Sequence, residues 1–208
     1  MNGASIDGSW FTAVAGFAQR TGWLHPLMSA YTNLSILLLA ALALAGWWYA
    51  RRRADPRAMS ALAWTGIGTA LTVAAGLASK QLFTEPRPCR ALPRVHIVAA
   101  CPAATDYAFP SDHTLIAVAL AAGLWLVERR LGAVAALLAL GEGFSRIYLG
   151  EHYPHDVAAS LLLGTAVIAA GWPLVQLRLA AVMTRLEHTP VRALLTAAPG
   201  TDRGDLPA

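Results

Sequence analysis

Five strongly apolar stretches of this chain carry no charged residue: 28–50, 58–79, 114–127, 131–141 and 157–176. A membrane-spanning helix needs roughly 20 mostly apolar residues. The first, second and fifth stretches meet that length directly. The third and fourth reach it only by taking in polar residues at one end, 111–113 for the third and 142–146 for the fourth. Five such runs in 208 residues are not what the buried helices of a water-soluble domain look like. The pattern therefore predicts an all-α, polytopic membrane bundle of about five transmembrane helices.

Composition agrees. Charged residues are 13% of the chain and hydrophobic residues 56%, where a soluble domain carries about a quarter charged residues. The placement of charge says more than the net value of +4. Arg51, Arg52, Arg53 and Arg57 lie between the first two runs, Arg129 and Arg130 between the third and fourth, and Arg178 and Arg185 after the fifth. Five spans bring these three segments to one side, which the positive-inside rule makes cytoplasmic. Topology thus accounts for the basic clusters, and no base-reading or stacking motif accompanies them, so nucleic acid is not an expected partner. Trp47, Trp48 and Tyr49 precede the arginines as aromatics do at a membrane boundary.

Residues 1–27 lack a basic region ahead of an apolar core and do not read as a signal peptide. Trp10, Val14 and Phe17 would share one face of a short helix lying in the outer interface; a frayed terminus is the alternative. Residues 1–177 form one membrane-embedded domain in this reading, and 178–208 a cytoplasmic tail with a short helix and a partly disordered end.

The polar residues of the outer side carry the chemistry. Lys80, the only lysine among 16 basic residues, ends the second run. A long loop, 81–110, follows, with Glu85, Arg87, Arg90, Arg94, His96, Asp106 and the only two cysteines, Cys89 and Cys101. Disulfide and free thiols are both open, and the spacing does not suit zinc. The third run opens at Ser111, Asp112 and His113, where Ser111 or Asp112 suits a helix N-cap. Glu142 and Arg146 stand four apart on the fourth helix, as a structural ion pair would. Lys80, Arg87 and Arg146 form a set of cations without an obvious matching set of acids, which calls for an anion such as phosphate. The amides at the start of the third helix favour an anion too. His113 and His152 supply an acid and a nucleophile, and Asp156, four residues after His152, could orient it.

The residues Lys80-(six residues)-Arg87-Pro88, then Pro110-Ser111-Asp112-His113, then Ser145-Arg146-(five residues)-His152-(three residues)-Asp156 resemble the three-part signature of the type 2 phosphatidic acid phosphatase (PAP2) superfamily. The resemblance implies a lipid phosphatase that needs no metal or other cofactor. It implies that His152 forms a phosphohistidine, His113 protonates the leaving oxygen, and Asp156 orients His152. Lys80, Arg87, Ser111, Ser145 and Arg146 would hold the phosphoryl oxygens. Asp112 replaces the commoner glycine, which puts a carboxylate beside the phosphate site. Pro-Ser-Asp-His is similar to the bacterial branch acting on undecaprenyl diphosphate, which implies an outward-facing site, a role in recycling the wall-synthesis carrier lipid, and bacitracin resistance. Alternatives are the same chemistry on phosphatidylglycerol phosphate or phosphatidic acid, a lipid phosphotransferase, and, least in accord with charges gathered at one face, a transporter. His155 and Glu151 hold no motif position and read as interfacial loop residues. Arg90 and Arg94 read as free loop arginines, although they could assist a diphosphate.

Overall fold

The computed structural model describes residues 2–197. Its elements follow in chain order as α1 (Gly3–Arg20), a single 3-10 turn (Gly22–Leu24), α2 (His25–Arg53), α3 (Pro56–Phe83), α4 (Pro88–Ala91), α5 (Asp112–Val127), α6 (Arg129–Tyr148), α7 (Pro154–Leu186) and α8 (Arg192–Leu195). No strand occurs among the described residues. Helices α2, α3, α6 and α7 are long and apolar enough to cross a membrane.

The fifth expected span is shorter than the others. Helix α5 has 16 residues, which at 1.5 Å per residue gives about 24 Å, less than the roughly 30 Å hydrocarbon thickness. The reason lies in its position. It packs against α2, α3, α6 and α7, and most of its residues are buried. A helix wrapped by neighbours need not match the lipid thickness, and its N-terminus can open into a polar site framed by the surrounding helices.

Local chemistry sets the helix boundaries. Asp55 caps α3 by accepting from the Arg57 and Ala58 amides at 2.9 and 3.2 Å, with Pro56 at the first helical position. Glu128 caps α6 by accepting from Leu131 N–H at 2.9 Å, which lets α5 and α6 join with no further residue. Asp156 accepts from Tyr153 N–H at 2.8 Å and so closes the start of α7. Contact between α3 and α5 is close because Gly123 lies against Thr65, where a Cβ would collide. Trp64 is buried against α7 with its indole N–H donating to Ile168 O at 3.0 Å.

The N-terminal helix is longer and better packed than an interfacial helix needs to be. Gly8, Phe11, Ala15 and Ala18 are buried, and their spacing of three, four and three is one helical stripe. Phe11 and Ala15 pack with Tyr153 and Ala108, so α1 covers the segment around His152. Trp10 and Phe17 face outward, as the interfacial reading required; Val14 turns inward and packs near Tyr148. At the other end, α7 runs on to Leu186, past the expected domain limit at 177. Helix α8 folds back onto α2, where Arg51 Nε donates to Ala193 O at 2.6 Å and Trp47 donates to Leu194 O at 2.9 Å. The expected loose end, 198–208, lies outside the described residues.

Gly150 turns the chain between α6 and His152. Its φ is +87°, and a Cβ there would run into Ile97. Gly150→Ala is expected to cost about 2 kcal/mol of stability, since both the backbone conformation and the space are unsuited to a side chain. Denaturant unfolding in detergent, compared with wild type, measures it.

Candidate active site

Four parts of the chain meet at one end of the bundle. The end of α3 brings Lys80, the following loop Arg87 and Asp106, the start of α5 Asp112 and His113, and the α6–α7 junction Arg146, Glu151, His152 and Asp156. Cys89 and Cys101 form a disulfide with Cα atoms 5.9 Å apart. Arg90 donates to Pro102 O at 2.5 Å, so this arginine braces the disulfide loop. Both Arg90 and Arg94 are exposed.

His152 is buried. Its Nε2 lies 2.8 Å from Nη1 of Arg87. A guanidinium has only donors, so Nε2 must accept and carry the lone pair. The proton therefore resides on Nδ1, which lies 3.4 Å from Asp156 Oδ2, an ion-pair approach short of a formed hydrogen bond. This is the tautomer a nucleophilic imidazole needs, with the attacking nitrogen on the cationic side and the N–H toward the carboxylate. Burial holds His152 well below the usual imidazole pKa, and the charges of Arg87, Arg146 and Lys80 add to the effect. The ring is thus neutral at ordinary pH.

Arg87 holds this arrangement through four contacts. Besides His152, it donates from Nε to Asp106 O at 3.1 Å, from Nη1 to Glu151 O at 3.0 Å and from Nη2 to Asp106 Oδ1 at 2.8 Å. Lys80 Nζ pairs with Asp112 Oδ2 at 2.7 Å and Asp106 Oδ1 at 3.4 Å, and donates to Tyr107 O at 3.1 Å. Arg146 pairs through Nη2 with Glu151 Oε2 and donates from Nη1 to Thr32 Oγ1 at 3.2 Å. Its Nε is buried with no partner among the described residues, as are His152 Nδ1 and Asp156 Oδ1.

Two sequence expectations change here. The three cations do have a matching set of acids, Asp106, Asp112 and Glu151, each ion-paired to at least one of them. Two of these acids come from loops, so helical spacing gave no sign of them. Burial would raise the Asp106 pKa, but the hydrogen bond and charge of Arg87, with Lys80, outweigh it and hold the carboxyl below its ordinary value. Asp112, the departure from the common motif, is neutralised by Lys80. Nor is Glu142 in direct ion contact with Arg146. Its two carboxylate oxygens accept from Thr32 and Ser35 on α2, each at 2.6 Å. Thr32 Oγ1 thus donates to Glu142 while accepting from Arg146, placing a hydroxyl between the two charges. The one-turn spacing of Thr32 and Ser35 was the available signal for that contact.

The two motif serines are occupied by the protein itself. Ser145 donates to Glu142 O at 2.8 Å. Ser111 N–H donates to Ser160 Oγ at 2.9 Å, and Ser111 Oγ accepts from Thr114 Oγ1 at 3.0 Å. The Ser111 amide is therefore not free for an anion, whereas no side-chain cap covers the first turn of α5. His113 is partly buried, with Arg146, Glu142, Asp112 and Arg87 as the charges that act on it.

His155 is not a loose interfacial residue. It stands on the first turn of α7 with Asp7, Glu85 and Asp156 around it. Its ring stacks on Phe109 and on Tyr153, with centroids 6.0 and 5.6 Å away.

A sequence model of the PAP2 superfamily matches residues 58–180. Over 161 residues the chain is 32% identical to undecaprenyl-diphosphatase BcrC of Bacillus subtilis, covering 76% of this chain and 78% of that protein. It is 33% identical over 103 residues to the undecaprenyl-diphosphatase of Sulfolobus acidocaldarius, covering 48% of each chain. It is 40% identical over 74 residues to phosphatidylglycerophosphatase B of Escherichia coli, covering 33% of this chain and 29% of that one. No solved structure matches the chain.

Proposed function

The chain belongs to the PAP2 superfamily, and from that premise we propose that it is a membrane phosphatase hydrolysing a polyprenyl diphosphate, undecaprenyl diphosphate in bacteria, to the monophosphate and inorganic phosphate. The observation that carries the chemistry is His152 Nε2 held against Arg87 at 2.8 Å beside two further cations. Nε2 attacks the terminal phosphorus. The bond from that phosphorus to the bridging oxygen breaks, and His113, entering protonated, gives its proton to the leaving monophosphate. Water then attacks the phosphohistidine, His113 takes the proton, and the N–P bond breaks. Arg87, Arg146 with its unpartnered Nε, and Lys80 stabilise the charge on the transferred group. Asp156 holds the Nδ1 proton and the developing imidazolium.

The apolar part of the substrate has a place to lie. A cavity of about 430 Å³ opens between α5, α6 and α7, lined by residues including Val118, Ala139, Leu161 and Ile168. Val118 is five residues beyond His113 on α5, about 8 Å along the helix axis. Similarity to the two undecaprenyl-diphosphatases supports the polyprenyl reading; the shorter match to phosphatidylglycerophosphatase B supports a second, a glycerophospholipid phosphate. Phosphate release by purified protein from a panel of both lipid classes decides. Hydrolysis of phosphatidylglycerol phosphate without hydrolysis of polyprenyl diphosphate would redirect the assignment, and label retained on a lipid acceptor would indicate phosphotransfer.

The arginines of the α2, α5–α6 and α7 ends support an orientation with the site outside and residue 197 inside. That orientation fits recycling of a carrier lipid for wall synthesis. Expression in a sensitive bacterium is expected to raise bacitracin resistance.

The three acids must yield their cations when a phosphate enters. Glu151 holds Arg146, so Glu151→Gln is expected to strengthen competitive inhibition by inorganic phosphate about tenfold. The neutral amide keeps the volume and gives up the ion pair, and an inhibition constant measured at fixed pH and ionic strength reads the effect.

A further inference from the structure

Behind Asp156, on the side away from His152, lies a cluster that phosphoryl transfer does not use. His155 Nε2 is 3.1 Å from Glu85 Oε2 and 3.3 Å from Asp156 Oδ1. Its Nδ1 is 2.9 Å from Asp7 Oδ1. Glu85 and Asp156 are both 0% exposed. Glu85 Oε1 and Asp156 Oδ1 are buried with no hydrogen-bond partner among the described residues. No lysine or arginine pairs with any of the three carboxylates among those residues; His155 approaches all three, and the neutral His152 approaches Asp156 at 3.4 Å. Even a fully protonated His155 would leave two buried negative charges uncompensated, and buried charge of that kind is costly unless neutralised.

We propose that Glu85, His155 and Asp156 bind one divalent first-row transition-metal ion, with Asp7 as the outer carboxylate that orients His155. The donor atoms of the three residues lie within 4.8 Å of one another. Bonds of about 2.0–2.2 Å to zinc put ligand atoms about 3.4 Å apart in a tetrahedral site, close to the 3.1 and 3.3 Å seen from Nε2. One imidazole and two carboxylates suit zinc or manganese better than magnesium or calcium, which take oxygen ligands. Asp7 supplies what a ligating histidine ordinarily needs, an acceptor on the other ring nitrogen that fixes tautomer and ring angle. Stacking on Phe109 and Tyr153 restrains the ring. A cavity of about 390 Å³ lined by Asp7, Trp10, His155 and Ala158 opens on the His155 side of the cluster. With His155 neutral as a ligand, a 2+ ion balances the two ligand carboxylates, Glu85 and Asp156. It takes no part in the phosphoryl steps; it would hold Asp156, whose other oxygen faces His152, and tie α1 to the site.

The test counts metal rather than turnover, so its result does not depend on the phosphatase assignment. Full-length protein in detergent is stripped with chelator, re-equilibrated with Zn²⁺ and analysed by elemental mass spectrometry. About one zinc per chain is expected for wild type and for His152→Ala. Glu85→Gln and His155→Gln are expected to retain less than a tenth of that, and Asp7→Asn to bind ten- to a hundredfold more weakly. Where a variant does not fold, Co²⁺ substitution of wild type gives a second reading, a visible d–d spectrum that is lost on adding Zn²⁺. Less than a tenth of an equivalent on folded wild type, or full zinc on folded Glu85→Gln and His155→Gln, would overturn the site. The first result would mean that shared protons neutralise the carboxylates.

Discussion

His152→Ala is expected to lower kcat by about four orders of magnitude or more and to abolish the acid-labile, base-stable phosphoenzyme trapped by rapid quench with labelled substrate. The magnitude follows from removing the atom that forms the covalent bond. A nucleophile knock-out forfeits the route itself, leaving only positioning and charge stabilisation by Lys80, Arg87 and Arg146. In the proposed mechanism the nucleophile is one particular nitrogen. Arg87 can only donate, so Nε2 must hold a lone pair, and the 3.4 Å approach of Nδ1 to Asp156 supplies the complementary side. His113 does not offer the same arrangement: no carboxylate stands behind it at ion-pair distance among the described residues. His113→Ala is therefore expected to slow turnover while the phosphoenzyme still forms from an activated substrate with a good leaving group. Undiminished phosphate release by His152→Ala would remove the mechanism.

The motif residues were legible because their chemistry is written in type and order. Lysine occurs once in the chain, at Lys80, and His113, Arg146 and His152 fall at or near the ends of uncharged runs. The helical architecture was legible from those same runs. What the sequence concealed were partners whose roles arise from long-range closure. Glu151 pairs with Arg146 because Gly150, at positive φ, reverses the chain between them. Asp106 reaches Lys80 and Arg87 because residues 84–110 fold back over the helix ends, braced by the disulfide. Thr32 and Asp7 come from helices more than a hundred residues before their partners. The buried stripe Gly8, Phe11, Ala15 and Ala18 was present in the sequence, but the more conspicuous Trp10 and Phe17 marked the opposite face.

These hidden partners change the physical picture of substrate entry. A site with three bare cations would attract any anion. Here Asp106, Asp112 and Glu151 already occupy them, so under the proposed function a phosphate group would bind only by replacing carboxylate contacts. The exchange costs little where the acid can turn into water, as Asp106 and Asp112 can with side chains 44% and 39% exposed. It costs more at Glu151, which is 17% exposed. Affinity for a phosphate is thereby reduced to the difference between two anions, which favours a diphosphate or a lipid with further contacts over free inorganic phosphate.

That exchange has one fixed member, and Arg87→Lys is the substitution that tests it. The expected result is a loss of about 10²- to 10³-fold in kcat/KM, mostly in kcat, with the protein still folded and still in the membrane. Lysine preserves the charge but not the fork. Three nitrogens of Arg87 make four contacts, two to Asp106, one to Glu151 O and one to His152 Nε2. A single ammonium cannot span the Asp106 loop and the His152 turn together, so the two segments lose their common anchor. His152 then loses the donor that keeps Nε2 unprotonated and aimed, and the ring is free to adopt the other tautomer. A loss of 10²- to 10³-fold corresponds to about 3–4 kcal/mol, the range for removing one preorganised donor from a developing anion. The split between constants separates this role from simple anion attraction. If Arg87 only attracted phosphate, lysine would nearly suffice and any deficit would fall in KM. A large fall in kcat at unchanged KM, with the phosphohistidine forming slowly in single-turnover measurements, assigns Arg87 to holding the nucleophile.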